Sequence, residues 1–90
     1  MELTERIKEI EKTEQLTRED LARKIGLTYT RLRNLVGGQT KFRMDDLEAI
    51  ANIFPEYEYW IYTGKELPES GQISPMTKAA QKELGTQRKA

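Results

Sequence analysis

The chain contains no cysteine and no histidine. Without cysteine there is no disulfide framework and no thiol nucleophile, and the chain suits a reducing compartment. Without histidine the usual zinc ligand and the usual proton shuttle are missing, so neither a metal nor any other cofactor is expected. No apolar run approaches the ~18 residues of a membrane span, and no signal-peptide pattern opens the sequence. There is no phosphate-binding loop of the Walker kind. Asp45 and Asp46 are adjacent, so on a helix they point about 100° apart and serve better as partners of the helix dipole than as an acid–base pair. The sequence therefore predicts neither an enzyme nor a membrane protein, and no small-molecule ligand is evident.

What the chain has is charge, on 33 % of its residues, in equal numbers of each sign. Its 90 residues allow one domain with a small core. The charge is unevenly placed. Residues 1–16 carry five acids and three bases, a net −2. Residues 17–43 carry seven bases and two acids, a net +5, and residues 44–66 carry six acids and one base, a net −5. Residues 67–90 return to +2, with four bases and two acids. Attraction to phosphates acts over roughly a Debye length, ~8–10 Å, so a local basic cluster counts for more than a total of zero.

The basic cluster coincides with the best-defined local structure, residues 17–38, TREDLARKIGLTYTRLRNLVGG. Thr17 can cap a helix, and Asp20 three residues on completes a capping box. Leu21, Ala22 and Ile25 share one face. Gly26 stops the helix, because glycine accepts the left-handed conformation without a Cβ clash. Leu27 plugs the turn. Thr28 caps a second helix whose buried stripe is Leu32, Leu35 and Val36. Gly37 and Gly38 end it. Two helices are expected, over 18–25 and 29–36.

These residues resemble the helix-turn-helix of the Cro/CI-like (Xre-type) transcriptional regulators of phages and bacteria. The match lies in the small Ala22 in the first helix, Gly26 four residues later, Leu32 six beyond the glycine, and the flanking Leu21, Ile25, Leu27 and Leu35. The resemblance implies that the second helix enters the major groove. With Leu32, Leu35 and Val36 inward, Tyr29, Thr30, Arg33 and Asn34 face outward, and they occupy the places from which the family contacts bases. Arginine pairs two ways with guanine, asparagine with adenine, and threonine touches the thymine methyl. Many family members have glutamine where Tyr29 stands, which leaves the target sequence open. Phosphate contacts are expected from Arg18, Arg31, Gln39, Thr40, Lys41 and Arg43, fixing register with little sequence information.

Around this unit the sequence predicts three more helices. The first, over 2–12, buries Leu3, Ile7 and Ile10. Its other face carries Glu5, Lys8, Glu9 and Lys12. The fourth, over 45–54, buries Leu47, Ile50, Ala51 and Phe54 and begins with acids suited to the helix dipole. The fifth, over 55–63, opens on Pro55 and holds three tyrosines and the tryptophan within residues 57–62. Trp60 and Ile61 read as inward, but this is more aromatic surface than one small core needs, so Tyr57, Trp60 or Ile61 is expected to touch a second subunit, the alternative being simple core filling. Residues 65–90 shift in composition. Leu67, Ile73 and Met76 read as anchors of an extended arm, residues 77–84 as a short helix capped by Thr77, and 85–90 as a mobile end. Lys78, Lys82, Arg88 and Lys89 read as a solvated tail.

The expected fold is all-α, a five-helix phage-repressor-like domain over 1–64 with a C-terminal arm, partly extended or flexible, over 65–90. The expected function is regulation of transcription, as a repressor bound to a palindromic operator in double-stranded DNA as a homodimer. The expected setting is the cytoplasm or nucleoid of a bacterial host. The alternative is a protein-interaction module or antitoxin that docks a partner through helices four and five.

Overall fold

The computed structural model describes residues 1–89, with side chains described through residue 85. Six α-helices and two short 3-10 turns make up the ordered elements of that span, and it contains no named strand.

Helix α1, Leu3–Glu14, buries Ile7 and Ile10. It runs two residues past its expected end and closes on Gln15, which takes a left-handed φ of 56° and donates its N–H back into the last turn. Helices α2, Arg18–Ile25, and α3, Tyr29–Val36, have the limits that their caps dictate. The Thr17 hydroxyl accepts from the Asp20 N–H, and the Thr28 hydroxyl from the Arg31 N–H, both at 3.1 Å. Between the two helices Gly26 sits at φ +80°, where a Cβ would be strained. The Leu27 N–H then closes onto the Ala22 carbonyl at 2.9 Å. Helix α4, Met44–Ile53, starts with the Asp46 carboxylate accepting the Arg43 N–H at 2.8 Å.

The helix expected over 55–63 is divided. A 3-10 turn, Pro55–Tyr57, carries the Tyr57 ring inward, and helix α5, Glu58–Thr63, follows, ending at Gly64. Proline starts the turn because its fixed φ suits a first helical position and its missing N–H is not needed there. The Phe54, Tyr57 and Trp60 rings then pack in series, at centroid distances of 5.8 and 6.3 Å. They join Ile7, Ile10, Leu21, Leu32, Ile50 and Ile61 in one core, with Leu16, Leu27, Phe42 and Leu47 packed at its margin.

The expected extended arm is instead folded back on itself over residues 65–74, where a 3-10 turn at Pro68–Ser70 closes an antiparallel bridge between Leu67 and Gln72. Gln72 pins it: its amide nitrogen donates to the Pro55 carbonyl at 3.0 Å and its amide oxygen accepts the Tyr59 N–H at 2.9 Å. Ile73 packs on the core, but Leu67 and Met76 stay exposed, so two of the three expected anchors do not hold the arm. Helix α6, Pro75–Lys89, begins two residues before the expected Thr77 and runs further, because Ser74 accepts the Thr77 N–H at 3.2 Å and Pro75 fits the first turn. It returns against α1. Thr13 donates to the Pro75 carbonyl at 3.3 Å, and the Lys78 ammonium reaches Glu14 at 2.9 Å and Glu56 at 2.8 Å. Lys78 is thus a half-buried tie rather than part of a solvated tail. The side chains of Arg88 and Lys89, also read as tail, lie outside those described.

Candidate nucleic-acid interface

Helix α3 turns Leu32, Leu35 and Val36 into the core. This forces its other face outward. Tyr29 is 42 % exposed, and Thr30 and Arg33 are exposed with it. The Arg33 guanidinium lies 5.8 Å from the centre of the Tyr29 ring, one turn back along the helix. That contact orients a cation and an aromatic face together, as a pair that can approach base edges. Asn34 is half-buried. Its carbonyl accepts the Gln39 N–H at 2.9 Å and the Thr40 N–H at 3.3 Å, which reverses the chain at the end of the helix. Gly38, at φ +83°, completes the reversal.

The loop after α3 projects Gln39, Lys41 and Arg43 into solvent, with Thr40 half-buried beside them. Among the described residues Lys8, Arg33, Lys41 and Arg43 make no ion pair. Their charge is therefore available to an anion. Lys8, Arg18, Arg33, Asn34, Gly37 and Gln39 line one groove at the junction of α1, α2 and α3. The sequence reading had left Lys8 on the solvated face of the first helix.

Two of the expected phosphate residues are engaged inside the protein. The Arg31 guanidinium forks onto Asp46, at 2.9 Å from Nε and 2.7 Å from Nη2. Asp46 is 1 % exposed. The Arg31 hydrogen bonds, outweighing burial, hold its carboxyl below the usual carboxylate range, and the Arg43 N–H adds to this. Arg31 is a strut between α3 and α4, because a buried carboxylate requires a partner. Arg18 likewise forks onto Glu11 with two contacts of 2.8 Å, tying the start of α2 to α1 and raising the guanidinium pKa. Arg18 still lines the groove. Neither carboxylate partner was legible. Glu11 lies across a turn from Arg18. Asp46 stands three residues after Arg43, but an arginine is no cue to a cap.

The residues expected at a dimer contact belong to the chain's own core. Tyr57 and Ile61 have no exposed surface and Trp60 only 3 %. The Tyr57 hydroxyl donates to Glu14 at 2.6 Å, and burial followed by that carboxylate pushes its pKa up. The reason is the small size of the domain, which needs its aromatics to fill its interior. The exposed apolar side chains of α4 and α5 are Met44, Ile53 and Tyr62.

Among the described residues no group of histidine, cysteine or acidic side chains could hold a metal ion, and no helix is long and apolar enough to cross a membrane. The family model of the Cro/C1-type HTH (helix-turn-helix) DNA-binding domain matches residues 6–55, from the first turn of α1 to the end of α4 and the proline after it. No curated protein matches the chain.

Proposed function

The chain belongs to the family of Cro/C1-type helix-turn-helix DNA-binding domains, and on that premise we propose that it is a sequence-specific transcriptional regulator, acting as a repressor by occupying an operator in the bacterial cytoplasm or nucleoid. The observation that carries this reading is the exposed face of α3, where Tyr29, Thr30 and the stacked Arg33 stand together beside the unpaired cations Lys41 and Arg43 of the following loop. Bases are read by the helix, and phosphates by the loop. Two copies on a palindrome would place their recognition helices about one turn of DNA apart, ~34 Å. Because the aromatic core residues are not free, the dimer contact falls to exposed groups such as Ile53 and Tyr62.

Selection from a randomised duplex library at about physiological salt, ~150 mM, tests the reading. Recovery of a palindromic motif supports dimeric, specific binding, and recovery of nothing above background overturns it. On a selected site Arg33→Ala should abolish preference over random DNA, a loss of ~1–3 kcal/mol in discrimination. Lys41→Ala should weaken both duplexes alike.

A second reading keeps one observation in its favour. Tyr62 of α5 is exposed close to the acids Glu48 of α4 and Glu58 of α5, and α4 also exposes Met44 and Ile53. A docking module or antitoxin would use this surface, and would copurify with its partner while selecting no DNA.

A further inference from the structure

One groove draws polar and basic side chains from four separate places in the chain: Lys8 of α1, Arg18 of α2, Arg33 and Asn34 of α3, and Gln39 of the following loop. Its floor includes Gly37, where any Cβ would collide with the Gln39 carboxamide oxygen. Only glycine at this position lets the Gln39 side chain fold back into the groove. No acidic side chain lines it.

The obvious cation of the groove is not its effective one. Arg18 is forked onto Glu11, whose carboxylate cancels its charge. Lys8 is exposed and makes no ion pair among the described residues. The groove thus combines the unpaired cations Lys8 and Arg33, two carboxamides and a close approach of backbone, with no carboxylate in its lining to repel an anion. That donor set fits the oxygens of a phosphate. It does not fit a base edge, which must be met by a side chain that projects. Asn34 is recessed, unlike Tyr29 and Arg33.

We infer that this groove seats one phosphodiester of the DNA backbone, that Lys8 supplies its charge while the Arg33 guanidinium, held over the Tyr29 ring, reads a base beside it, and that Asn34 holds this phosphate instead of reading a base. The inference rests on the DNA-binding reading above. It extends the interface from the helix-turn-helix onto α1 and leaves Tyr29, Thr30 and Arg33 as the base-reading set.

The test uses the full chain, a selected duplex and a scrambled duplex, with binding followed by fluorescence anisotropy across a salt series. Lys8→Ala should weaken both duplexes by the same factor and reduce the slope of log affinity against log salt by about 0.9, the value of one neutralised phosphate. Lys12→Ala, one turn along the same face of α1 but outside the groove, should leave the slope unchanged. Asn34→Ala should weaken both duplexes alike, with no change in slope. Glu11→Gln should release Arg18 and steepen the slope. A Lys8→Ala variant with wild-type affinity and slope, or an Asn34→Ala loss confined to the selected duplex, overturns the inference. A titration with inorganic phosphate, followed by the amide resonances of Lys8, Asn34 and Gln39, separates the sources of the anion. If the wild-type chain binds neither duplex but phosphate moves these resonances, the DNA reading fails and the seat stands as a site for free phosphate. If phosphate moves nothing and no duplex binds, both fail.

Discussion

Two charged joints hold outlying helices to the centre of this molecule, and they are built on different principles. At the first, Arg31 of α3 forks onto Asp46 of α4 through two hydrogen bonds, and the same carboxylate accepts the Arg43 N–H. At the second, Lys78 of α6 lies between Glu14 and Glu56, and Tyr57 donates to the same Glu14 oxygen. A guanidinium fork is planar and directional, so it fixes the rotation of one helix against another. An ammonium is a point charge that fixes proximity and little else. The two cations are equally exposed, at 25 %, and the joints differ in their carboxylates, with Asp46 at 2 % against Glu14 at 20 % and Glu56 at 31 %. The directional joint stands under the helix that presents Tyr29, Thr30 and Arg33. The looser one tethers α6, whose angle no proposed contact depends on.

The largest effect should come from breaking the first joint. Asp46→Ala leaves Arg31 and the Arg43 N–H without their partner. The expected loss is about 3 kcal/mol, the low end for a broken buried pair, because Arg31 can still turn to water. Against a total of roughly 5–13 kcal/mol for a chain of this length, that is severe. Urea unfolding of the variant measures it. The paired replacement Arg31→Met with Asp46→Leu should recover most of the loss, since an apolar pair avoids the desolvation of two ions. A double variant as unstable as Asp46→Ala alone would show that the joint matters for its direction as well as its charge.

The two joints should also separate by pH. The Asp46 carboxyl is held below its ordinary ~3.9, so its stabilisation is complete above that value and is lost as pH falls through the folded-state pKa. Burial would raise Glu14, but its bonds to Tyr57 and Lys78 outweigh this and lower it, so it acts in the same acid limb. Burial would lower Lys78, but the Glu56 and Glu14 carboxylates outweigh this and raise it above its ordinary ~10.4. Burial and Glu14 raise Tyr57. Stabilisation by these two groups is complete below their ordinary values and is lost as pH rises through the folded ones. With no histidine or cysteine in the chain, stability should be nearly flat between about pH 5 and 9. Asp46→Asn should flatten the acid limb and Lys78→Met the alkaline limb. Thermal melts across the pH range read both, and an alkaline limb unchanged in Lys78→Met would remove the second joint from the account.

Legibility in the sequence follows the same division. The limits of α2 and α3 are readable because each depends on neighbours three to five residues away: Thr17 with Asp20, Ala22 with Leu27, Thr28 with Arg31. The family resemblance and the outward placement of Tyr29, Thr30 and Arg33 followed from those limits. The joints were not readable. Arg31 and Asp46 are separated by 15 residues, and Lys78 and Glu14 by 64. No periodicity links such pairs. The aromatic stretch divides the same way: the inward turn of Trp60 and Ile61 is legible, whereas the composition suits an interface and the burial of Tyr57 against Glu14 and Lys78 is not legible. Lys8 was missed because an exposed lysine on a charged helix face carries no mark of the groove beside it.

Cutting the tether should cost less than cutting the fork. Lys78→Met is expected to lose about 1 kcal/mol, within the range of partly exposed pairs. Hydrogen exchange should quicken in α6 while α3 keeps its protection.

The smallest single effect should come from Thr28→Ala, which removes the cap of α3 at a cost of about 1 kcal/mol or less. Its interest lies in the residue it caps. Thr28 holds the Arg31 N–H while Asp46 holds the Arg31 guanidinium. Cap and fork therefore act on one residue from two sides, and freeing either end lets the start of α3 move. A double-mutant cycle of Thr28→Ala with Asp46→Ala should show coupling above ~0.5 kcal/mol, whereas Thr17→Ala, which caps the neighbouring helix, should add to Asp46→Ala within ~0.3–0.5 kcal/mol. Equal coupling in both cycles would mean that the helix-turn-helix responds as one rigid body, and that the orientation of α3 is set by the turn at Gly26 more than by the fork.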